Sequence, residues 1–510
     1  VGRGGLSAAQ NPCGGAIYRA LIVQIGRDES RPYDNQKLTI NTEQLTNNTI
    51  FKAGAFMARR RNKENSPRIP KVFPIAQFTI ESLDMEGRGI ARGEDGKVVF
   101  VAGALPFETV RAEIVCEKSS FSQARTIEVL KASSDRVTPK CAAYDMCGGC
   151  AMQHMDSRGQ VSAKQRVLED NLQRIGQVTP DVMLRPIAGP TWGYRYRARL
   201  SVRHVFKKNA VLVGFREKNG GYVADMTACE VLPKHVSNLL VPLRELVGQS
   251  SLINDIPQIE VAVGQEHTVL VFRNMAALNP DDEALFRAFG DAHGVDIWFQ
   301  PKGPDTVYAF HPPTENLFYD LPEFGIRMPY RPTDFTQVNF HINRVLVGRA
   351  IRLLDVQPLE RVADFFCGLG NFTLPLATIA THVVGIEGST QLTTRALENA
   401  VVNGVADKTE FYCRNLFEVT ADDLRGLGKI DKYLIDPPRD GADALCLALA
   451  QLTRAEKPTR LVYVSCNPST LARDAKTLVH QAGYRLSSAG VVNMFPHTAH
   501  VESMAVFDLV

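Results

Sequence analysis

Val464-Ser465-Cys466-Asn467-Pro468 ends an apolar, β-type run on a cysteine, and Asp364-Phe365-Phe366-Cys367-Gly368-Leu369-Gly370-Asn371 ends another on a glycine turn. A thiol at the end of a strand is a candidate nucleophile, and glycines let a ligand approach the backbone closely. A nucleophile and a cofactor turn in one stretch of chain point to covalent catalysis beside a bound nucleoside.

The turn has Thr373 where a dinucleotide fingerprint has its third glycine, which argues against NAD. Glu387 ends the next apolar run about twenty residues after the first glycine, where a carboxylate accepts from ribose hydroxyls. This suits S-adenosylmethionine, which has a ribose to clamp and no pyrophosphate to cradle. The plainer alternative is a glycine turn and an exposed Glu in some other α/β domain.

Asp436-Pro437-Pro438-Arg439 follows a further apolar run. Amino-group methyltransferases place an aromatic residue after such a D-P-P; Arg439 there counts against an exocyclic nitrogen as acceptor. Carbon 5 of uracil gives Cys466 a task. That carbon is a poor nucleophile until a thiolate adds to carbon 6, and a base must later remove its proton so that the thiolate can leave. The competing reading is a cysteine that only packs.

Cys141, Cys147 and Cys150 give C-x5-C-G-G-C, and Cys229 is a fourth cysteine downstream. Four thiolates suit tetrahedral zinc or a [4Fe-4S] cluster, and Gly148 and Gly149 would let the backbone bend around a bulky group. Spacing alone does not separate the two metals. Cys367 reads as packing, and Cys13, Cys116, Cys413 and Cys446 are given no role.

The elements that must position these groups fall into four segments. The fold class is α/β: residues 1–72 read as a disordered extension with Met57 as a natural start and Arg59, Arg60, Arg61 and Lys63 as a solvated tail or, alternatively, a basic arm, 73–136 as a five-stranded OB-like barrel, 137–334 as a mixed α+β region holding the cysteines, and 335–510 as a doubly wound, Rossmann-like parallel sheet. In the barrel Arg88, Arg92, Lys97, Arg111, Lys118 and Arg125 are candidate phosphate contacts. In the central segment, period-two alternation lines Arg195, Arg197 and Arg199 along one strand face. At 510 residues the chain exceeds one core, and its net charge of +3 permits an RNA partner without requiring one. No apolar run is long enough to span a membrane, ten cysteines without an export signal argue against a disulfide framework, and a cytoplasmic location is expected.

Taken together, the 364–372 turn, Asp436-Pro437-Pro438-Arg439-Asp440-Gly441-Ala442, Val464-Ser465-Cys466-Asn467-Pro468 and His500-Val501-Glu502-Ser503-Met504 resemble the RNA m5U methyltransferase family. The segment after Phe73 resembles a TRAM domain, and with the four cysteines it is most similar to the iron-sulfur branch acting on 23S ribosomal RNA. The resemblance implies Cys466 as nucleophile and Glu502 as base, with His497 and His500 as rivals to Glu502. It implies Gln337, Phe366, Asn371, Glu387, Asn415 and Asp436 as contacts to S-adenosylmethionine, and Cys141, Cys147, Cys150 and Cys229 as ligands of a [4Fe-4S] cluster. A monomer with no stable protein partner and no membrane contact is expected. Two alternatives stand beside this reading, a transfer RNA methyltransferase and a noncatalytic RNA-binding assembly factor; a radical methyltransferase would need a C-x3-C-x2-C motif that is absent.

Overall fold

Apolar residues at every second position build the first sheet of the computed structural model, which describes residues 74–218, 220–315 and 317–510. The expected N-terminal extension, Met57 and the arginines after it lie outside the described residues. The sheet has six strands, Ile75–Thr79, Ser82–Leu83, Gly89–Arg92, Val98–Ala102, Thr109–Glu117 and Phe121–Lys131, in the spatial order first, fifth, sixth, fourth, third, second. Val99, Val101, Val110 and Ala112 alternate inward onto Phe78 and Ile80. The strand beyond the five expected is Ser82–Leu83, two residues that carry no periodicity to read. The expected phosphate-binding row is altered by pairing: Arg88 meets Asp84, Arg92 meets Glu81, Lys97 meets Glu117, Arg111 meets Glu128 and Arg125 meets Glu113. Lys118 lies over the Phe121 ring instead.

The central region builds a second six-stranded sheet from Arg197–Val205, Ala210–Gly214, Gln258–Val263, Thr268–Arg273, Asp296–Gln300 and Tyr308–His311. Before this sheet a helix runs Ser157–Asn171, capped by Asp156. The arginine row is corrected here. Arg195 precedes the strand, Arg197 turns inward to donate to the carbonyls of Pro332 and Asp334 at 2.5 and 3.0 Å, and Arg199 pairs with Glu260. Three arginines at alternate positions therefore have three different environments, and they do not form one basic stripe.

The C-terminal sheet has eight strands in the order Thr409–Cys413, His382–Glu387, Arg361–Phe365, Lys432–Ile435, Arg460–Ser465, Glu502–Leu509, Tyr484–Val492 and Val182–Met183. The first five are parallel, and their side chains alternate between two cores. Val362, Leu434 and Val462 enter one, while Ala363, Ile435 and Tyr463 enter the other. The expectation of a parallel sheet fails at one strand: Glu502–Leu509 runs antiparallel between Arg460–Ser465 and Tyr484–Val492. Because it runs backwards, it begins at the edge where the parallel strands end.

Candidate active site

Each functional segment arrives where a strand stops. At the end of Arg361–Phe365 the backbone N–H groups of Phe366 and Cys367 both donate to the Ile386 carbonyl, and Phe366, Gly368 and Gly370 adopt φ of 64°, 56° and 95°. Glycine takes that left-handed conformation freely; Phe366 holds it against a steric cost, as positions beside ligand sites often do. Glu387 accepts from the N–H of Gly368 and of Ser389, each at 3.1 Å, so its carboxylate is fixed over the turn. Asn371 is fixed from behind, accepting from Tyr319 Oη at 2.8 Å and Asn343 Nδ2 at 2.9 Å.

Cys466 follows Ser465, the last paired residue of its strand, and precedes Asn467, whose side chain caps the helix Pro468–His480 by accepting from Ser469 N–H. Asn467 Nδ2 also donates to the Arg439 carbonyl at 3.0 Å, tying the cysteine turn to the Asp436 loop. That loop is held by Asp474 of the same helix, which accepts from Ala442 N–H at 2.7 Å. Ser465 pairs with Ser503, which sets Glu502 across the ladder from Cys466.

One cavity of about 750 Å³ is lined by Gln337, Phe366, Asn371, Glu387, Asn415, Asp436, Cys466 and Glu502, all eight residues that the sequence assigns to catalysis and cofactor. Its volume is within the range of roughly 300–1,000 Å³ typical of small-molecule sites. Phe335, Phe417 and Phe495 add aromatic walls that the sequence reading missed, and Tyr319 and Arg439 also line it.

Electrostatics inside the cavity are governed by burial. Burial, then the neighbouring Glu502 and Asp436 carboxylates, push the Cys466 thiol up to about 12, with Arg439 opposing them. Burial raises Asp436 to about 7, and burial with Asp436 nearby holds Glu502 well above the usual carboxylate range. Burial thus opposes negative charge on all three groups.

His497 is excluded from the cavity. It is buried, stacked on Trp192 at 3.8 Å, and its Nδ1 faces Gln160 at 3.1 Å. His500 does line the cavity and contacts Arg439. Cys367 borders the cavity too, but its thiol is buried and raised well above its ordinary range by desolvation, in keeping with packing.

Cys141, Cys147, Cys150 and Cys229 line a second cavity of about 410 Å³, together with Gly148, Gly149 and Met226. Gly149 N–H lies 3.4 Å from Cys147 Sγ, and burial pushes the Cys150 and Cys229 thiols up to about 11 and about 12. Among the described residues no group of three or more His, Cys, Asp or Glu side chains is set to hold a metal ion. The thiols share a cavity without closing on one point. Arg195 and His500 line both cavities.

The parallel strands with their antiparallel hairpin, and the glycine turn at the strand ends, define a methyltransferase-type α/β domain. The family described as tRNA (Uracil-5-)-methyltransferase matches residues 314–508. The chain is 63% identical over 437 residues to the 23S rRNA (uracil(1939)-C(5))-methyltransferase RlmD of Cupriavidus metallidurans, covering 84% of this chain and 94% of that one. It is 61% identical to the enzyme of the same name from Ralstonia pickettii, covering 85% and 99%. The chain belongs to the RNA (uracil-5-)-methyltransferase family. Among solved structures, Pyrococcus abyssi tRNA (uracil-54, C5)-methyltransferase in complex with S-adenosyl-L-homocysteine superposes with a TM-score of 0.64 at 24% identity, over 85% of this chain and all of that one, a likeness of fold. Among the described residues no helix is long and apolar enough to cross a membrane.

Proposed function

We propose that this chain is a 23S rRNA (uracil(1939)-C(5))-methyltransferase, the activity named for its relatives at 61–63% identity. The observation that carries the chemistry is the single cavity in which Cys466 and Glu502 meet the glycine turn and Glu387. S-adenosylmethionine, when bound, supplies a methyl group on a positively charged sulfur; Glu387 is placed to accept from its ribose, with Phe366, Gln337, Asn371 and Asn415 around it. The target uridine leaves its stack and enters beside Cys466, at a cost of a few kcal/mol.

Cys466 loses its proton to solvent and its thiolate adds to carbon 6, sending an electron pair to the carbonyl oxygen on carbon 4. Carbon 5 takes the methyl group as the cofactor leaves as S-adenosylhomocysteine. Glu502, as carboxylate, then removes the carbon 5 proton, the double bond reforms and the Cys466 thiolate departs. Asp436, in the same cavity, disfavours negative charge on both.

What supports a [4Fe-4S] cluster in this reading is that the four cysteines, with Gly148 and Gly149, line one cavity. Methyl transfer by this route needs no electron, so the cluster's part is structural or RNA-contacting. The 74–131 sheet is the TRAM-like RNA platform in this reading, the enzyme is cytoplasmic, and it acts as a monomer.

The test is transfer of labelled methyl from S-adenosylmethionine to unmodified 23S ribosomal RNA and to unmodified transfer RNA, with the product located by mass spectrometry. 5-Methyluridine at one ribosomal position is expected. Label in transfer RNA alone contradicts the substrate, and label in neither favours a binding factor.

A further inference from the structure

Asn493–His500 connects the two antiparallel strands at the end of the sheet and carries Phe495 and His500 to the reaction cavity. The helix Ser157–Asn171 holds it through buried groups. Lys164 Nζ donates to Asn493 Oδ1 at 2.9 Å and to the Phe495 carbonyl at 2.8 Å, and Gln160 Oε1 accepts from His497 N–H at 2.8 Å. Tyr194 Oη donates to the Pro496 carbonyl at 2.7 Å, and the N–H groups of Ala151 and Met152 reach the His497 carbonyl at 2.9 Å. Polar backbone groups along this segment are thus fixed from several elements, and His500 stands on a preorganised support.

The ring of His500 has a defined polarity. Arg439 Nη2 lies 3.2 Å from His500 Nδ1, and a guanidinium can only donate. Nδ1 is therefore the acceptor, and the neutral ring carries its hydrogen on Nε2. Partial burial, with Arg439, Lys164 and Arg195 nearby, lowers the ring's proton affinity, in keeping with that neutral form. Nε2 has no protein partner among the described residues, and His500 is exposed on the wall of the cavity that holds Cys466 and Glu502. The Phe495 ring, 5.5 Å away, supplies an apolar flank.

We propose that His500 determines base specificity by donating Nε2–H to the carbon 4 oxygen of the target uracil, an inference that rests on the uracil-methylation reading above. Addition of the thiolate at carbon 6 places the electron pair on that oxygen, so a fixed donor there is worth more in the transition state than in the bound substrate. Cytosine carries an amino group at the same position, which would set N–H against N–H and leave the donor unpaired.

The experiment compares wild type, His500→Gln and His500→Phe on a 23S ribosomal RNA fragment with uridine or cytidine at the target, scoring methyl transfer and, separately, S-adenosylmethionine binding by calorimetry. The Phe variant should lose about 100-fold in kcat/KM on uridine, the order found when one such donor is removed. The Gln variant, which keeps an N–H donor, should recover most of that loss, and cofactor affinity should stay unchanged in both. A Phe variant within threefold of wild type overturns the proposal, as does a Gln variant as impaired as Phe. A loss matched by an equal loss of cofactor affinity overturns it too, by assigning His500 a packing role. Wild type inactive on uridine would remove the parent reading itself, a failure distinct from the others.

Discussion

Cys466 and Glu502 oppose each other across an antiparallel ladder, one residue past the Ser465 and Ser503 pair that closes it. Both sit where burial resists charge, and the carboxylate raises the thiol further. The two groups that must each be ionised at some point of the reaction thus discourage one another's ionisation. Each is expected to be charged in its own step.

The first consequence is a pH dependence. With the Cys466 thiol pushed up to about 12, the thiolate fraction rises about tenfold per pH unit throughout the neutral range. The rate of covalent capture of a 23S fragment carrying 5-fluorouridine should therefore climb between pH 6 and 9. A flat profile would mean that the thiol ionises far below this value when RNA is bound.

Cofactor affinity should depend on a hydroxyl remote from the chemistry. Tyr319→Phe removes the donor to Asn371 Oδ1 and leaves the ring in place. At about 1 kcal/mol for such a bond, the S-adenosylmethionine dissociation constant should rise about fivefold by calorimetry. Unchanged affinity would mean that Asn343 alone orients Asn371.

Asp364 links the cofactor turn to stability. It is buried, its Oδ2 accepts from Thr373 Oγ1 at 2.6 Å, its Oδ1 has no partner among the described residues, and burial raises it to about 8. A carboxyl with a raised folded-state value favours folding fully below its ordinary value near 4, and that contribution is lost as pH rises towards 8. Asp364→Asn should therefore flatten the fall in melting temperature between pH 5 and 9. An unchanged slope would place the titration elsewhere.

The cysteine cavity makes a compositional prediction. Protein purified without oxygen should contain iron and inorganic sulfide in equal amounts, and Cys150→Ser or Cys229→Ser should lose both. Zinc in place of iron would contradict the cluster.

Much of the site was legible because the glycine turn, Glu387, Asp436 and Cys466 lie at the ends of parallel strands, and such ends converge at one edge whatever the loop lengths. Gln337 to Glu502 span a third of the chain, yet all eight assigned residues reach one cavity. What stayed hidden depends on pairing between distant segments. Nothing local marks Glu502–Leu509 as antiparallel, since its apolar run suits either direction. Arg197 alternates like a surface residue but is claimed by the 332–336 loop, and the barrel cations find acidic partners on neighbouring strands. The buried Lys164 beneath the 493–500 segment reads in sequence as an ordinary helical charge.

The most direct measurement of the central claim is the fate of RNA on Glu502→Gln. That variant keeps Cys466 and the cofactor turn but has no carboxylate to take the carbon 5 proton. Incubated with a 23S fragment and S-adenosylmethionine, it should accumulate a methylated RNA adduct that survives denaturation and maps by mass spectrometry to Cys466; Cys466→Ala should form none. Absence of any adduct from Glu502→Gln, with wild-type turnover intact, would contradict the assignment of Glu502 as the base, and an adduct or full turnover from Cys466→Ala would contradict the covalent mechanism itself.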